Sequence, residues 1–329
     1  MRSIVKKQSR HKFDSLLNPQ NVAIFGSFKK DIFGGYPTLR QLQSFGFSGK
    51  IYPVNPRYDE VLGIKIYPSV REIPEAVDLA VVMTAASTVP EIMEECAKKG
   101  IKAAIVVSDG FAERDEKGAE LQRKLIDIAK EAGMRIIGPN TAGVINVTNG
   151  FVLGAYECGY EKIKKGPISI VTQTGIIALQ AVPWIDFPFG VSKVIDLGNK
   201  SDVDENDLLE YLGNDPETKV ISLYLEGIKD GQRFLKIGKE VTQRKPVLVL
   251  KSGRTMEAAK AAASHPGALA GNDQVFESAC KQANVIRVNK WSQLFDFAKI
   301  LVSQPLPKGN RLGILTYTGA TATMLIDAA

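Results

Sequence analysis

The stretch NVAIFGSFKKDIFGG, residues 21–35, decides the fold. Its apolar run Val22 to Phe25 ends at Gly26-Ser27, and glycines return at Gly34-Gly35 just before a helical pattern starts. A short apolar run, a glycine turn and a helix start read as a strand followed by its crossover helix. Working outward, the alternation repeats. Strand-like runs follow at KIYPV (50–54), DLAVVM (78–83), KAAIVV (102–107) and MRIIG (134–138). Between them, Val89, Ile92, Met93, Cys96 and Ala97 fall at helical spacing, as do Leu121, Leu125, Ile128 and Ala129, and Ser87 is placed to cap the first of these helices. This is the pattern of an open parallel sheet, a Rossmann-like unit over residues 21–148.

Open parallel sheets bind ligands outside the carboxyl ends of their strands. Those ends hold Gly26-Ser27, Asn55-Pro56, Thr84-Ala85, Ser108-Asp109-Gly110 and Gly138-Pro139-Asn140, all small or polar, so a ligand can approach the backbone closely. The periodicity then breaks over TNGFVLGAYECGYEKIKKG, and residues 149–166 read as a linker. It restarts with ISIVT, VSKVI, KVISLYL, PVLVL and VIRV, with helical segments near 175–184, 205–213, 230–243, 271–283 and 290–302. A second doubly wound unit, flavodoxin-like, is therefore expected over 167–305. After the Pro-rich QPLPKGN, the segment RLGILTYTGATATMLIDAA reads as one strand, a turn and a helix start, the beginning of a third α/β unit over 306–329.

At 329 residues the chain is long enough for two cores. With 44% hydrophobic and 24% charged residues it has globular composition, and no apolar run reaches the length of a membrane span. The basic first residues, 1–20, lack the apolar stretch of a secretory signal and read as a solvated lead-in. The net charge of +6 is spread among acids without an aromatic-basic repeat, so no nucleic-acid or membrane partner is expected. Cys96, Cys158 and Cys280 are odd in number and far apart, which suits buried thiols in the cytoplasm better than disulfides or a metal site.

Three features point to chemistry. The GSFKKDIFGG loop, between a strand and a helix, can present backbone amides to a phosphate. It is not G-x-G-x-x-G, and Asn55-Pro56 stands where a dinucleotide site needs an acid, which argues against NAD. In the second unit, Gln173, Thr174 and Gly175 lie between a strand and its helix, where free amides and a positive helix end can hold an anion. His265 lies in AAASHPGALAGND among small residues, with Lys251 and Arg254 nearby in sequence. A neutral ring nitrogen in such a setting can attack a phosphoryl donor. Glu226 ends the strand KVISLYLE at the same rim, where a carboxylate can fix the tautomer of the ring and stabilise its charge.

Together these stretches resemble the ADP-forming acyl-CoA synthetases and, more distantly, the α subunit of succinyl-CoA synthetase. The resemblance runs through NPQNVAIFGS, GKIYPVNPRYDEVLGIKIYPSV, IIGPNTAGVIN, SIVTQTG, LGNKSDVDENDLLEYLGNDPETKVISLYLEGIKDG and VLVLKSGRTMEAAKAAASHPGALAG, and covers nearly the whole chain from about residue 15. It implies that coenzyme A binds at Gly26, Ser27, Val54, Asn55, Pro56, Thr84 and Ala85. It also implies that His265 is phosphorylated and steadied by Glu226, with Asn140, Gln173, Thr174, Gly175 and Gly267 as the phosphate-binding set. ATP or ADP and Mg2+ would be held by an ATP-grasp module, on a β subunit or a C-terminal domain outside these residues. A small carboxylic acid and its acyl-CoA would be the substrates, and a homo-oligomer is compatible with the reading.

Three positions depart from the family pattern. Thr141 replaces the usual cysteine after GPN, Thr84-Ala85 replaces a proline turn, and Pro266 replaces the threonine after the histidine. Proline fixes φ, removes an amide donor and restricts the residue before it, here His265. An alternative reading is a CoA-sensing regulatory module, like the synthetase-like region of some protein acetyltransferases. Retention of both His265 and Glu226 disfavours it.

Overall fold

A computed structural model of the chain describes residues 11–31, 33–154, 163–175, 189–255, 272–309 and 311–329. His265, Pro266, Gly267 and Cys158 lie outside the described residues, as does the helix expected near 175–184 after its first residue.

The first unit carries β1 (Asn21–Gly26), β2 (Lys50–Val54), the short β3 (Glu60–Val61) and β4 (Ile64–Lys65), then β5 (Leu79–Met83), β6 (Ala103–Val106) and β7 (Arg135–Ile137). Its helices are α1 (Asp14–Leu17), α2 (Gly35–Ser44), α3 (Val89–Lys99) and α4 (Glu116–Ala132). The sheet order is β2-β1-β5-β6-β7, all parallel, with Val22 opposite Leu79 and Gly26 opposite Met83. Val22, Ala23, Ile24, Leu79, Ala80 and Val81 are wholly buried, as befits central strands covered on both faces. The strand order reverses at β1, so the crevice at its carboxyl end is the place for a ligand.

Local chemistry sets the helix ends. Asp115 accepts the Gly118 amide to start α4, and Gly133 at φ 60° ends it. Ser87 does not cap α3, because residues Ala86–Thr88 form a 3-10 turn first. The Thr88 hydroxyl that follows is spent on Thr84 Oγ1 at 2.9 Å and Ala85 O at 2.8 Å.

The second unit comprises β8 (Gly143–Asn146), β9 (Phe151–Gly154), β10 (Lys165–Thr172), β11 (Val191–Asp196), β12 (Val220–Leu225), β13 (Val247–Lys251) and β14 (Ile286–Val288). Its described helices are α5 (Glu205–Asn214), α6 (Gly231–Thr242), α7 (Asp273–Gln282) and α8 (Trp291–Ser303). In the order β14-β13-β12-β10-β11-β8-β9 the first five strands are parallel, β8 adds antiparallel to β11, and β9 pairs antiparallel with β8 at the edge. The order reverses at β10, giving a second crevice beyond Thr172.

Two segments differ from the sequence reading. Strand β9 falls inside 149–166, the expected linker, and β8 falls inside the expected first unit, yet both belong to the second sheet. Strand β8 covers the β11 edge, which would otherwise expose unpaired backbone groups, and β9 pairs with β8 in turn. Helix α2 in turn rests on β9, where Gln41 Oε1 accepts the Gly154 amide at 3.2 Å. One apolar layer therefore runs from Ile24 and Leu39 through Phe151 and Leu153 to Ile195 and Leu208.

The second difference is at the C-terminal end. Residues 311–318 form no strand, although α9 (Gly319–Ala328) does form. Leu315 and Tyr317 are fully exposed, because among the described residues no neighbouring strand pairs with this one.

Polar ties lock the two units together. Arg135 on β7 donates to Asp202 at 2.8 Å and to Asp207 at 2.9 Å, and its guanidinium sits 4.8 Å over the Phe13 ring. Asn199 Nδ2 donates to Glu113 Oε2 at 2.5 Å and to Gln122 Oε1 at 2.9 Å on α4 and the loop before it.

Candidate functional site

At the carboxyl rim of the first sheet a cavity of about 190 Å3 opens, lined in part by Gly26, Val54, Asn55, Pro56 and Thr84. Five of the seven residues expected to hold coenzyme A thus share one wall. A Cβ on Gly26 would come 3.3 Å from Met83 Cβ and 3.6 Å from the Gly35 amide, so glycine lets β1, β5 and the start of α2 converge. Helix α2 begins after Gly34, at φ 103°, with no side-chain cap, leaving its positive end to the loop.

Asn55 is a brace of this rim. Its Nδ2 donates to Gly26 O at 2.7 Å, and its Oδ1 accepts the Arg57 amide at 2.9 Å. Thr84 is anchored through its amide to Ser108 Oγ at 3.1 Å. Ser27 and Ala85 are not part of the cavity wall. The Ser27 hydroxyl lies 3.5 Å from the Tyr58 hydroxyl, and Ala85 leads into the 3-10 turn. Ser69, Ile92 and Glu95 also line the wall. Their residue types gave no sign of this in the sequence, because Ile92 and Glu95 reach the rim through the packing of α3 and Ser69 through the 3-10 turn that it caps.

In the second unit Gln173, Thr174 and Gly175 follow β10, between the ends of β11 and β12. Gln173 is buried and directly joined to Glu226, whose amide donates to Gln173 Oε1 at 2.9 Å. Two amides expected to be free are occupied. That of Gln173 donates to Tyr224 O at 3.1 Å, and that of Thr174 to the Thr172 hydroxyl at 3.0 Å. Backbone groups buried at a strand end must be paired, and here the chain pairs them itself. A Cβ on Gly175 would lie 2.7 Å from Ala142 Cβ and 3.4 Å from Asp196 Oδ2. Asn140, at φ 59°, turns its Nδ2 toward Asn199 Oδ1 at 3.3 Å, so it sits where the rims of the two sheets meet.

Asp196 is the acid that sequence reasoning passed over. It ends β11 and is 1% exposed, and its Oδ2 accepts the Ala142 amide at 2.6 Å. Burial lifts its carboxyl from 3.8 to about 6, and the negative charge of Glu226 adds to the rise, while the Ala142 and Gly198 amides oppose it. Two carboxyl groups thus flank the end of β10. The available signal was the run VSKVID, in which an acid continues an apolar strand, but the same pattern describes any surface acid after a strand. Among the described residues no group of three or more His, Cys, Asp or Glu side chains could hold a metal ion. No described helix is long and apolar enough to cross a membrane.

Comparison with known proteins bears on this architecture. A CoA binding domain model matches residues 20–147, and a succinyl-CoA ligase like flavodoxin domain model matches residues 165–301. The α subunit of acetate–CoA ligase [ADP-forming] I from Pyrococcus furiosus is 40% identical, over 96% of this chain and 69% of that protein. The chain belongs to the ADP-forming acyl-CoA synthetase family. Acetate–CoA ligase [ADP-forming] II from Archaeoglobus fulgidus is 45% identical over 95% of the chain, which spans only 46% of that relative's length. A solved acetyl-coenzyme A synthetase 1 from Ca. Korarchaeum cryptofilum, in complex with phosphate and ADP, superposes with a TM-score of 0.88. It is 37% identical, and the match covers 96% of this chain and 68% of that one.

Thr141 has a visible role at this junction. The Thr141 hydroxyl donates to the Asp196 carbonyl at 2.5 Å and accepts the Gly143 amide at 3.1 Å. The side chain therefore ties the end of the first unit to the strand that carries Asp196.

Proposed function

We propose that the chain is the CoA-binding, phosphohistidine-bearing part of an ADP-forming acyl-CoA synthetase. The net reaction is acyl-CoA + ADP + phosphate ⇌ carboxylic acid + CoA + ATP. An ATP-grasp module, on a β subunit or a C-terminal continuation, supplies the nucleotide and Mg2+ site. The observation that carries the reading is the open cavity at the ends of β1, β2 and β5, bounded by Gly26, Val54, Asn55, Pro56 and Thr84. Its glycine rim and the uncapped start of α2 suit a phosphate-bearing ligand such as coenzyme A.

The chemistry is a relay between sites that cannot share one pocket. A phosphate oxygen attacks the thioester carbonyl, the C–S bond breaks, and CoA leaves as the thiol. The neutral ring nitrogen of His265 then attacks phosphorus, and the carboxylate leaves as the P–O bond to the acyl group breaks. The N–P bond breaks in turn when the phosphoryl group passes to a terminal oxygen of ADP. Glu226 accepts the N–H of the other ring nitrogen and stabilises the imidazolium charge. Gln173 fixes the Glu226 backbone through the amide it accepts. The cytoplasm is the compartment this reading implies.

Calorimetric titration of the chain with CoA and with NAD tests the cofactor assignment. Binding of CoA and not of NAD is expected, and binding of NAD alone overturns it. A panel of carboxylic acids, assayed with CoA and ATP on the chain plus its ATP-grasp module, then identifies the acyl group.

A further inference from the structure

Glu226 opens a short loop between β12 and α6, and that loop is fastened from beneath by an ion pair that solvent does not reach. Lys200 and Glu205 are both wholly buried, with Lys200 Nζ 2.9 Å from Glu205 Oε2. Each also holds the loop. Lys200 Nζ donates to Gly227 O at 2.8 Å, and Glu205 Oε1 accepts the Lys229 amide at 3.0 Å. The Lys229 ammonium returns a bond to the Lys200 carbonyl. Lys200 adopts φ 52°, in the left-handed region that is costly for a residue with a Cβ.

A buried ion pair is generally no more stabilising than apolar side chains of the same size. Its presence on a strained backbone therefore calls for a positional explanation. The flanking residues supply the rest of the geometry. Ser201 Oγ donates to Gly138 O at 2.7 Å, and the Asn199 amide donates to Pro139 O at 2.9 Å, so the same loop grips the rim of the first unit.

We propose that the Lys200–Glu205 pair is a positioning device for Glu226, setting its carboxylate at the end of β10 and coupling it to the first-unit rim at Gly138–Pro139. The proposal rests on the reading of Glu226 as the carboxylate that steadies the phosphate-carrying imidazole. With Gln173 holding the amide of Glu226 and Lys200 holding the carbonyl of Gly227, the peptide is fixed on both sides of the Glu226 side chain.

The test uses the complete enzyme, the chain with its ATP-grasp module, and follows phosphoryl transfer from labelled ATP to the chain by rapid quench. The main variant is Lys200→Met combined with Glu205→Gln, which buries no net charge and keeps an acceptor for the Lys229 amide. Phosphoenzyme formation should slow by at least about tenfold, with the KM for CoA unchanged. Glu226→Gln should slow it too, and adding the pair of substitutions to Glu226→Gln should cause no further loss, since both act through one carboxylate. Lys229→Met, at an exposed residue, guards against misfolding of the main variant and should slow transfer a few-fold, again only while Glu226 is present.

A folded main variant with the wild-type rate overturns the positioning role, and so do losses that combine fully with that of Glu226→Gln. If the main variant does not fold, Lys229→Met decides, and a wild-type rate there overturns the proposal. A wild-type rate in Glu226→Gln itself instead removes the reading of Glu226 on which the proposal stands.

Discussion

Replacing Asp196 by asparagine should make the protein more stable as pH rises, relative to wild type. In the folded chain burial lifts this carboxyl to about 6, against 3.8 for the ordinary group. The folded state therefore holds a proton that the unfolded state has already released between those values. Stability is lost as pH rises through that window, and the loss is complete above about pH 6. The span from 3.8 to about 6 is worth about 3 kcal/mol when fully expressed.

Asparagine carries no charge, so the variant escapes this loss. It can still accept the Ala142 amide through its oxygen, although its nitrogen then faces the Gly198 amide, which lies 3.3 Å from Asp196 Oδ1 in the wild type. That contact lowers the variant's stability at every pH and so cancels when two pH values are compared. Between about pH 4.5 and about pH 8 the variant should gain about 2 kcal/mol over wild type. Urea unfolding of both proteins at each pH measures this, and other titrating groups cancel in the difference. A difference that is flat with pH, or that favours wild type as pH rises, refutes the argument that burial raises the Asp196 carboxyl.

Three further outcomes follow from the same geometry. Gly26→Val should weaken CoA binding by at least about tenfold in calorimetry, because its side chain enters the space between Met83 and the start of α2. Arg135→Met should cost about 2 kcal/mol in chemical denaturation at neutral pH by breaking the tie between the units. Burial raises the Asp207 carboxyl, but Arg233 and Arg135 hold it below 3.8 on balance, so this loss should shrink as pH falls through the folded value. Phe151→Ala should cost about 3–5 kcal/mol in the same assay, since Phe151 is wholly buried in the layer shared by both units.

The central strands were legible because covering both faces of a parallel sheet demands unbroken apolar runs. Asn21–Gly26 and Leu79–Met83 end where those runs do. Strands β8 and β9 were not legible, because GVIN and FVLG are short, pair with each other, and join a sheet only where GVIN meets the β11 edge, far along the chain. The converse failure is RLGILTYT, whose pattern suits a strand but which has no partner among the described residues. At the site, Gly26 and Asn55 declared themselves by residue type at a strand end, yet Asn55 braces the backbone of the rim. Lys200 and Glu205 sit in a charged stretch that reads as solvated, and only the fold buries them together. Asp196 was hidden for the same reason.

His265 is the residue proposed to carry phosphate. The direct measurement is to incubate the complete enzyme with ATP labelled at its terminal phosphate and locate the label on the chain. An acid-labile, base-stable label on His265 that disappears in His265→Ala is expected. Absence of label on the wild-type chain, or undiminished label in that variant, would contradict it.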